Sequence, residues 1–409
     1  MKVLIIDVVC GVKSVGRICT DLADALTAEG HEVKIAYGRD NVPGKYEKYA
    51  LRVGSDACVR LSALQSRVID NAGFANKAET ARFIEQIKDF DPDVIHLHVL
   101  HGYWLNVELL FEYLRTCGKK IVWTFHDCWA FTGHCAYFDY VGCDRWISQC
   151  CACPAKKEYP ASLLLDRSKK NYLRKRELFT GIPNMSIVTP SAWLAEYVKR
   201  SFMGEYPVEV IHNGIDCSVF QRTPEVLALS DELRTKYNLT GKKVVVALST
   251  SWDRRKGLPE YLKLADSLGE DYRVVIIGLP RDKIASLPDN VTGVPKTNST
   301  AELAAFYVMA HAYVNASFEE NYPTTNLEAI SCGTPVITYD CGGSGESAAL
   351  YGRTVPKGDI AALADAVRHA RENIRHIKPS PSPECFSTLG YKAMTDKYLE
   401  RLLNEENIV

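Results

Sequence analysis

Two acids, Glu320 and Glu328, are separated by seven intervening residues in the run Glu319-Glu320-Asn321-Tyr322-Pro323-Thr324-Thr325-Asn326-Leu327-Glu328-Ala329. A strand ending at Asn315-Ala316-Ser317 precedes them, and a helix is expected from Pro323 through Ser331. Proline at the first helical position leaves the unpaired N–H donors on Thr324, Thr325 and Asn326. Those donors and the positive helix end suit a diphosphate. Glu320, ahead of the helix, would face a sugar, and Glu328, one turn in, could accept hydrogen bonds from ribose hydroxyls. The acids could equally just complement a helix terminus, and the pattern alone leaves both readings open.

A second group, Arg254-Arg255-Lys256-Gly257, follows the strand-like Lys243 to Leu248 through Ser249-Thr250-Ser251-Trp252-Asp253. Three cations at the carboxyl end of a strand are placed to neutralise a departing diphosphate. Near the amino terminus, Cys10 to Arg17 lacks the G-x-G-x-x-G spacing, and Asp7 lies inside the strand, so NAD binding is disfavoured. Gly16 there could let the backbone approach a substrate. His96, His98 and His101 surround one strand end and His126 with Asp127 another. Alternation puts His96 and His98 on one face, where at least one should be a packed, hydrogen-bonded histidine. His126 is the better ligand candidate.

Cys135, Cys143, Cys150 and Cys153 sit in one glycine-containing loop. Four thiolates could close a tetrahedral structural zinc site; free thiols or a disulfide are the alternatives. Arg167, Lys169, Lys170, Arg174, Lys175 and Arg176 form a basic helical stretch, 167–176, that could rest on anionic lipid headgroups. A solvated helix face is the plainer reading.

Positioning these groups takes a parallel α/β scaffold. Strands are expected at Val3 to Val9, Glu32 to Ala36, Val94 to His98, Lys120 to Phe125, Ser186 to Thr189 and Val208 to Ile211. A second series covers Lys243 to Leu248, Arg273 to Ile277, Ala312 to Asn315 and Pro335 to Thr338, with helices such as Ala301 to Ala310 and Ile360 to Ile374 between strands. That predicts two doubly wound domains, 1–216 and 217–384, with a break over Cys217 to Thr240 and another at the proline-rich Lys378 to Pro383. Helix 385–409 is expected to cross back onto the first domain. A chain of 409 residues is long enough for two ordinary domains. Forty-nine basic and fifty acidic residues nearly cancel, which excludes a global charge drawing the chain to nucleic acid. No apolar run approaches the roughly 20 residues of a membrane span, and a cytoplasmic protein is expected.

The chain resembles the retaining family 4 glycosyltransferases of GT-B architecture, two Rossmann-like domains facing across a cleft. The matching pieces are Glu320 to Glu328, Cys332-Gly333-Thr334-Pro335-Val336-Ile337, Arg254 to Gly257, His212-Asn213-Gly214-Ile215-Asp216 and Thr189-Pro190-Ser191. With Ile95-His96-Leu97-His98 and the cysteine loop, they are similar to the bacterial exopolysaccharide, colanic-acid-type branch. The resemblance implies a nucleoside diphosphate sugar donor and a glycan or lipid-linked acceptor at the inner face of the plasma membrane. It implies no cofactor required for catalysis. Catalytic roles would fall on Glu320, His126 and Lys256. Donor contacts would come from Arg254, Arg255, Lys256, Glu320, Tyr322, Thr324, Thr325 and Glu328, with Gly16, Arg17 and His98 on the acceptor side. Many relatives have Glu-Gly-Phe-Gly where Glu320 to Pro323 stand, and Gly-Arg where Ser249 to Ser251 stand. A nucleotide-sugar epimerase and a non-catalytic nucleotide-sugar-binding subunit are the rival readings.

Overall fold

The computed structural model describes residues 1–372 and 390–403. The proline-rich break at 378–383 and the ends of two expected helices, 373–374 and 385–389, lie outside the described residues, as do residues 404–409. The chain divides into two compact units: Met1–His212 resuming at Thr395, and Asn213–Met394.

The first unit holds a parallel sheet of β1 (Lys2–Ile6), β2 (Glu32–Tyr37), β3 (Ala50–Arg52), β4 (Val94–Leu97), β5 (Lys120–Thr124), β6 (Met185–Thr189) and β7 (Val208–Val210), ordered β3-β2-β1-β4-β5-β6-β7. The second has β8 (Lys243–Leu248), β9 (Tyr272–Ile277), β10 (Val291–Val294), β11 (Ala310–Asn315), β12 (Val336–Tyr339) and β13 (Gly352–Val355), ordered β10-β9-β8-β11-β12-β13. Central strands such as Val3 to Ile6 and Val244 to Ala247 are wholly buried. Helices cover both of their faces, so an uninterrupted apolar run replaces alternation.

The strand order decides which loops meet. β8 and β11 are neighbours, paired at Val246 and Tyr313, so the cation loop and the Glu320 loop leave the sheet side by side. β4 and β5 are likewise adjacent, with Leu97 opposite Trp123, which brings His98 and His126 together. The stretch read as a break at Cys217 to Thr240 instead contains a helix, Pro224–Lys236. Thr223 caps it and proline opens it, and it buries Val226 and Leu233 in the second unit's core.

Candidate functional site

Glu320 is the centre of a buried ionic cluster in the second unit. Lys256 Nζ donates to Glu320 Oε1, and Arg255 Nη1 lies 3.6 Å from Oε2. Burial would raise the Glu320 pKa, but the charges of Lys256 and Arg255 and hydrogen bonds from Lys256 and Ser317 hold it below the ordinary value. It is therefore a carboxylate at neutral pH, unsuited to donate a proton.

Backbone contacts fix the cluster's shape. Phe318 N donates to Arg255 O at 2.8 Å, and Arg255 Nη1 donates to Glu319 O at 2.8 Å, lacing the two loops together. Asp253 accepts from Lys256 N at 3.0 Å, capping the short turn Arg254–Lys256. On the other side Gly343 N donates to Glu320 O at 2.9 Å. Gly342 has φ +55°, and a Cβ there would stand 1.9 Å from that same oxygen. Sequence reasoning missed Ser317 and this Gly342-Gly343 clasp. A glycine pair immediately beyond a strand was the available signal.

The remaining donor candidates divide. The helix is Thr324–Ser331 with Pro323 at its cap and no side chain capping it, so the first N–H groups, on Thr324 and Thr325, stand beside the cluster's loop. The Thr325 side chain hydrogen-bonds Tyr313. Arg254 is exposed, and the structure brings Arg255, not Arg254, to Glu320. Tyr322 is in the hydrophobic core, 5% exposed, and its carbonyl accepts from Asn213 Nδ2 at 3.0 Å. Glu328 is buried and accepts from the Tyr307 hydroxyl at 3.0 Å.

In the first unit His98 Nδ1 and His126 Nε2 lie 2.9 Å apart, one of them carrying the proton, with the rings stacked at 5.2 Å. His96 contacts Thr124 Oγ1 at 2.9 Å and packs 5.2 Å from Tyr398. His101 bridges Asp127 at 2.7 Å and Tyr159 at 2.9 Å. His98, His101, His126 and Asp127 line a cavity of about 20 Å³, room for a water. Gly16 is buried in helix Lys13–Ala28, and a Cβ there would press on Val9 at 2.9 Å. The glycine allows close helix-to-loop packing. Arg17 Nε turns back to Lys13 O at 3.3 Å.

Burial lowers the pKa of His96 to about 3, of His126 to about 4, and of His98 well below its ordinary value. Their unfolded values lie near 6.5, so between pH 6.5 and about 4 the unfolded chain binds more protons and stability falls as pH falls. Asp7 works oppositely: burial raises it to about 7, giving stability present below its unfolded value and lost as pH rises through 7. Three histidines outweigh one aspartate. Urea unfolding followed by fluorescence is expected to show the first unit losing stability from pH 6.5 to 5, by up to about 1.4 kcal/mol per pH unit for each unopposed histidine. Constant or rising stability over that range would contradict the burial of neutral histidines.

Cys135, Cys143, Cys150 and Cys153 line one cavity of about 10 Å³ together with His134. His134 Nδ1 pairs with Asp70 at 2.6 Å, and its buried Nε2 has no hydrogen-bond partner among the described residues. The four cysteines are free thiols, not disulfides. Among the described residues no three His, Cys, Asp or Glu side chains are gathered as a metal site. The basic stretch is also less exposed than its composition suggests. Lys175 is 1% exposed, donates to Trp129 O at 2.7 Å and Thr132 O at 3.1 Å, and burial lowers its pKa to about 7. Arg174 pairs with Glu108 at 2.6 Å. Lys175 braces the start of the cysteine-bearing loop and Arg174 the helix Val107–Leu114, instead of offering charge to a surface.

Comparison with known proteins matches residues 15–219 to the model described as Glycosyltransferase Family 4 and residues 230–377 to Glycosyl transferases group 1. The protein of Escherichia coli (strain K12) named "Putative colanic acid biosynthesis glycosyl transferase WcaC" is 30% identical over 300 residues, covering 71% of this chain and 69% of that one. Among solved structures, sucrose-phosphate synthase from Thermosynechococcus elongatus superposes with TM-score 0.71 at 18% identity, covering 98% of each chain. Anabaena Alr3699/HepE in complex with UDP-glucose gives 0.66 at 13% identity, over 98% of this chain and 99% of that one. The structural likenesses show a shared fold.

Proposed function

The chain belongs to glycosyltransferase family 4, with the GT-B fold, and we propose that it moves a hexosyl group, with retention, from a nucleoside diphosphate sugar to a hydroxyl of a glycan or lipid-linked acceptor. Exopolysaccharide assembly at the inner face of the plasma membrane is the proposed setting, which the resemblance to the colanic acid protein supports. The observation that carries the reading is the Glu320–Lys256–Arg255 cluster beside the uncapped helix Thr324–Ser331. It sets two cations and helix N–H donors where a diphosphate can be held, and a carboxylate where sugar hydroxyls can be oriented.

In this mechanism the departing diphosphate takes the acceptor proton while the acceptor attacks on the same face. The C–O bond to phosphate breaks, the new glycosidic C–O bond forms, and no protein nucleophile or metal is needed. The chain's work is positioning and charge stabilisation. Arg255 and Lys256 meet the diphosphate with Thr324 and Thr325, Glu320 holds the donor sugar, and Glu328 serves the ribose end. The resemblance assigns His126 to the transferred sugar, and His98, Arg17 and the Gly16 loop to the acceptor. The experiment is incubation with UDP-, GDP- and dTDP-sugars with and without acceptor glycan. Acceptor-dependent release of nucleoside diphosphate, with the anomeric configuration kept, supports transfer. Sugar interconversion without acceptor would make the chain an epimerase, and binding without turnover a silent subunit.

A structural zinc on Cys135, Cys143, Cys150 and Cys153 is a separate proposal, supported by their sharing one cavity with the buried His134 Nε2. Purified protein is then expected to carry about one equivalent of zinc by elemental analysis. Metal-free protein with an ordered loop would remove the proposal.

A further inference from the structure

Helix Asp56–Ile69 packs the half-buried Val59 against the first unit's core but turns its leucines outward. Its buried side chains are Ser62 and Ser66, whereas Leu61 and Leu64 are 67% and 61% exposed and Val68 is 40% exposed. The spacing i, i+3, i+7 makes these three one outward stripe, and the exposed Arg60 and Arg67 run along its edge. The outward leucines contribute nothing to the core, whereas an ordinary amphipathic helix turns such side chains inward.

The stripe is extended by Leu163-Leu164-Leu165, all exposed. Leu163 N donates to Arg67 O at 2.7 Å and Leu165 N to Val68 O at 3.1 Å, so the leucine loop is tied edge to edge with the last turn of the helix. Six aliphatic side chains thus form one face. Cations rim it: Lys156 Nζ reaches Leu164 O at 3.0 Å, and Lys157, Lys169 and Lys170 are exposed nearby in sequence. The adjacent acid Asp166 is turned to Ser168 and the Cys153 amide, and Asp56 to Arg52.

We propose that this face, the outer stripe of helix Asp56–Ile69 with the Leu163 to Leu165 loop, docks on an anionic lipid bilayer surface. Branched aliphatic side chains bordered by lysine and arginine suit the boundary between headgroups and acyl chains. A protein partner's site is typically richer in aromatic anchors, and none is exposed on this stripe. Among the described residues no helix is long and apolar enough to cross a membrane, so the contact is peripheral. The docking face therefore lies on residues 56–69 and 163–165, while stretch 167–176 supplies only its exposed Lys169 and Lys170 as rim charge. The inference rests on the proposed function for its purpose, a lipid-linked acceptor.

The test is co-flotation of the full chain with vesicles of phosphatidylcholine alone and of phosphatidylcholine with phosphatidylglycerol. It measures no sugar transfer, so a failed transfer reading and a failed docking reading are told apart. Wild type is expected to float with the anionic vesicles, and less so as salt rises. Leu64→Ser with Leu164→Ser should reduce partitioning roughly tenfold or more. Arg60→Gln with Arg67→Gln should remove the preference for phosphatidylglycerol. All four sites are exposed, and unchanged thermal melting will show that the variants fold. Wild type that floats with neither vesicle, or variants that float as wild type does, would overturn the proposal. So would a lipid-free dimer abolished by the leucine substitutions, which would identify the occupant as a second copy.

Discussion

Glu320→Gln is expected to lower turnover on the order of 100-fold while changing the affinity for free nucleoside diphosphate by much less. The carboxylate is oriented by its own backbone, through the Gly343 amide, and by Lys256 and Arg255. Glutamine keeps the shape but loses the charge that holds both cations and that can strengthen hydrogen bonds to sugar hydroxyls as positive charge develops at the anomeric carbon. Removing one member of a buried ion cluster also costs stability, on the order of 3 kcal/mol. Melting and steady-state kinetics must therefore be read on the same preparation. Equal losses in turnover and in diphosphate affinity would contradict the assignment of Glu320 to the sugar.

Lys256→Ala should act on the other partner. A charged hydrogen bond to phosphate contributes about 1.5–3 kcal/mol, so affinity for free nucleoside diphosphate is expected to fall roughly 10- to 100-fold, measured by calorimetric titration. The substitution also leaves buried Glu320 with Arg255, at 3.6 Å, and the Ser317 hydrogen bond but without its nearest cation. Burial is then less opposed, and the Glu320 pKa moves up. A group held below its unfolded value stabilises above that value and loses the contribution as pH falls, so the variant should begin losing stability at higher pH than wild type. Unchanged diphosphate affinity would remove Lys256 from the site.

Much of this was legible in the chain because the central strands are unbroken aliphatic runs. Val3 to Ile6 and Val244 to Ala247 announce a doubly covered parallel sheet. The unread strands β3, β10 and β13 are short edge strands: Ala50–Arg52 has three residues, Val291–Val294 contains a glycine and Gly352–Val355 opens with glycine and arginine. An edge strand is covered less completely and carries a weaker pattern. Helix Pro224–Lys236 was hidden by its polar composition, although Thr223-Pro224-Glu225 was a usable start signal. At the site, the pairing of Lys256 with Glu320 follows from the adjacency of β8 and β11, which no local pattern encodes. The burial of Lys175 was equally invisible, since a lysine spaced among other cations reads as part of a solvated face until the Trp129 and Thr132 carbonyls are seen to receive it.

The central claim is that the Glu320 cluster is a nucleotide-sugar donor site, and the most direct measurement is a thermal-shift screen of wild type and Glu320→Gln against UDP-, GDP- and dTDP-sugars, followed by turnover of any hit. Ligand binding to the folded state raises the melting temperature. The account predicts that at least one sugar nucleotide stabilises both proteins and that only wild type turns it over efficiently. No stabilisation of wild type by any of them, or full turnover by Glu320→Gln, would contradict it.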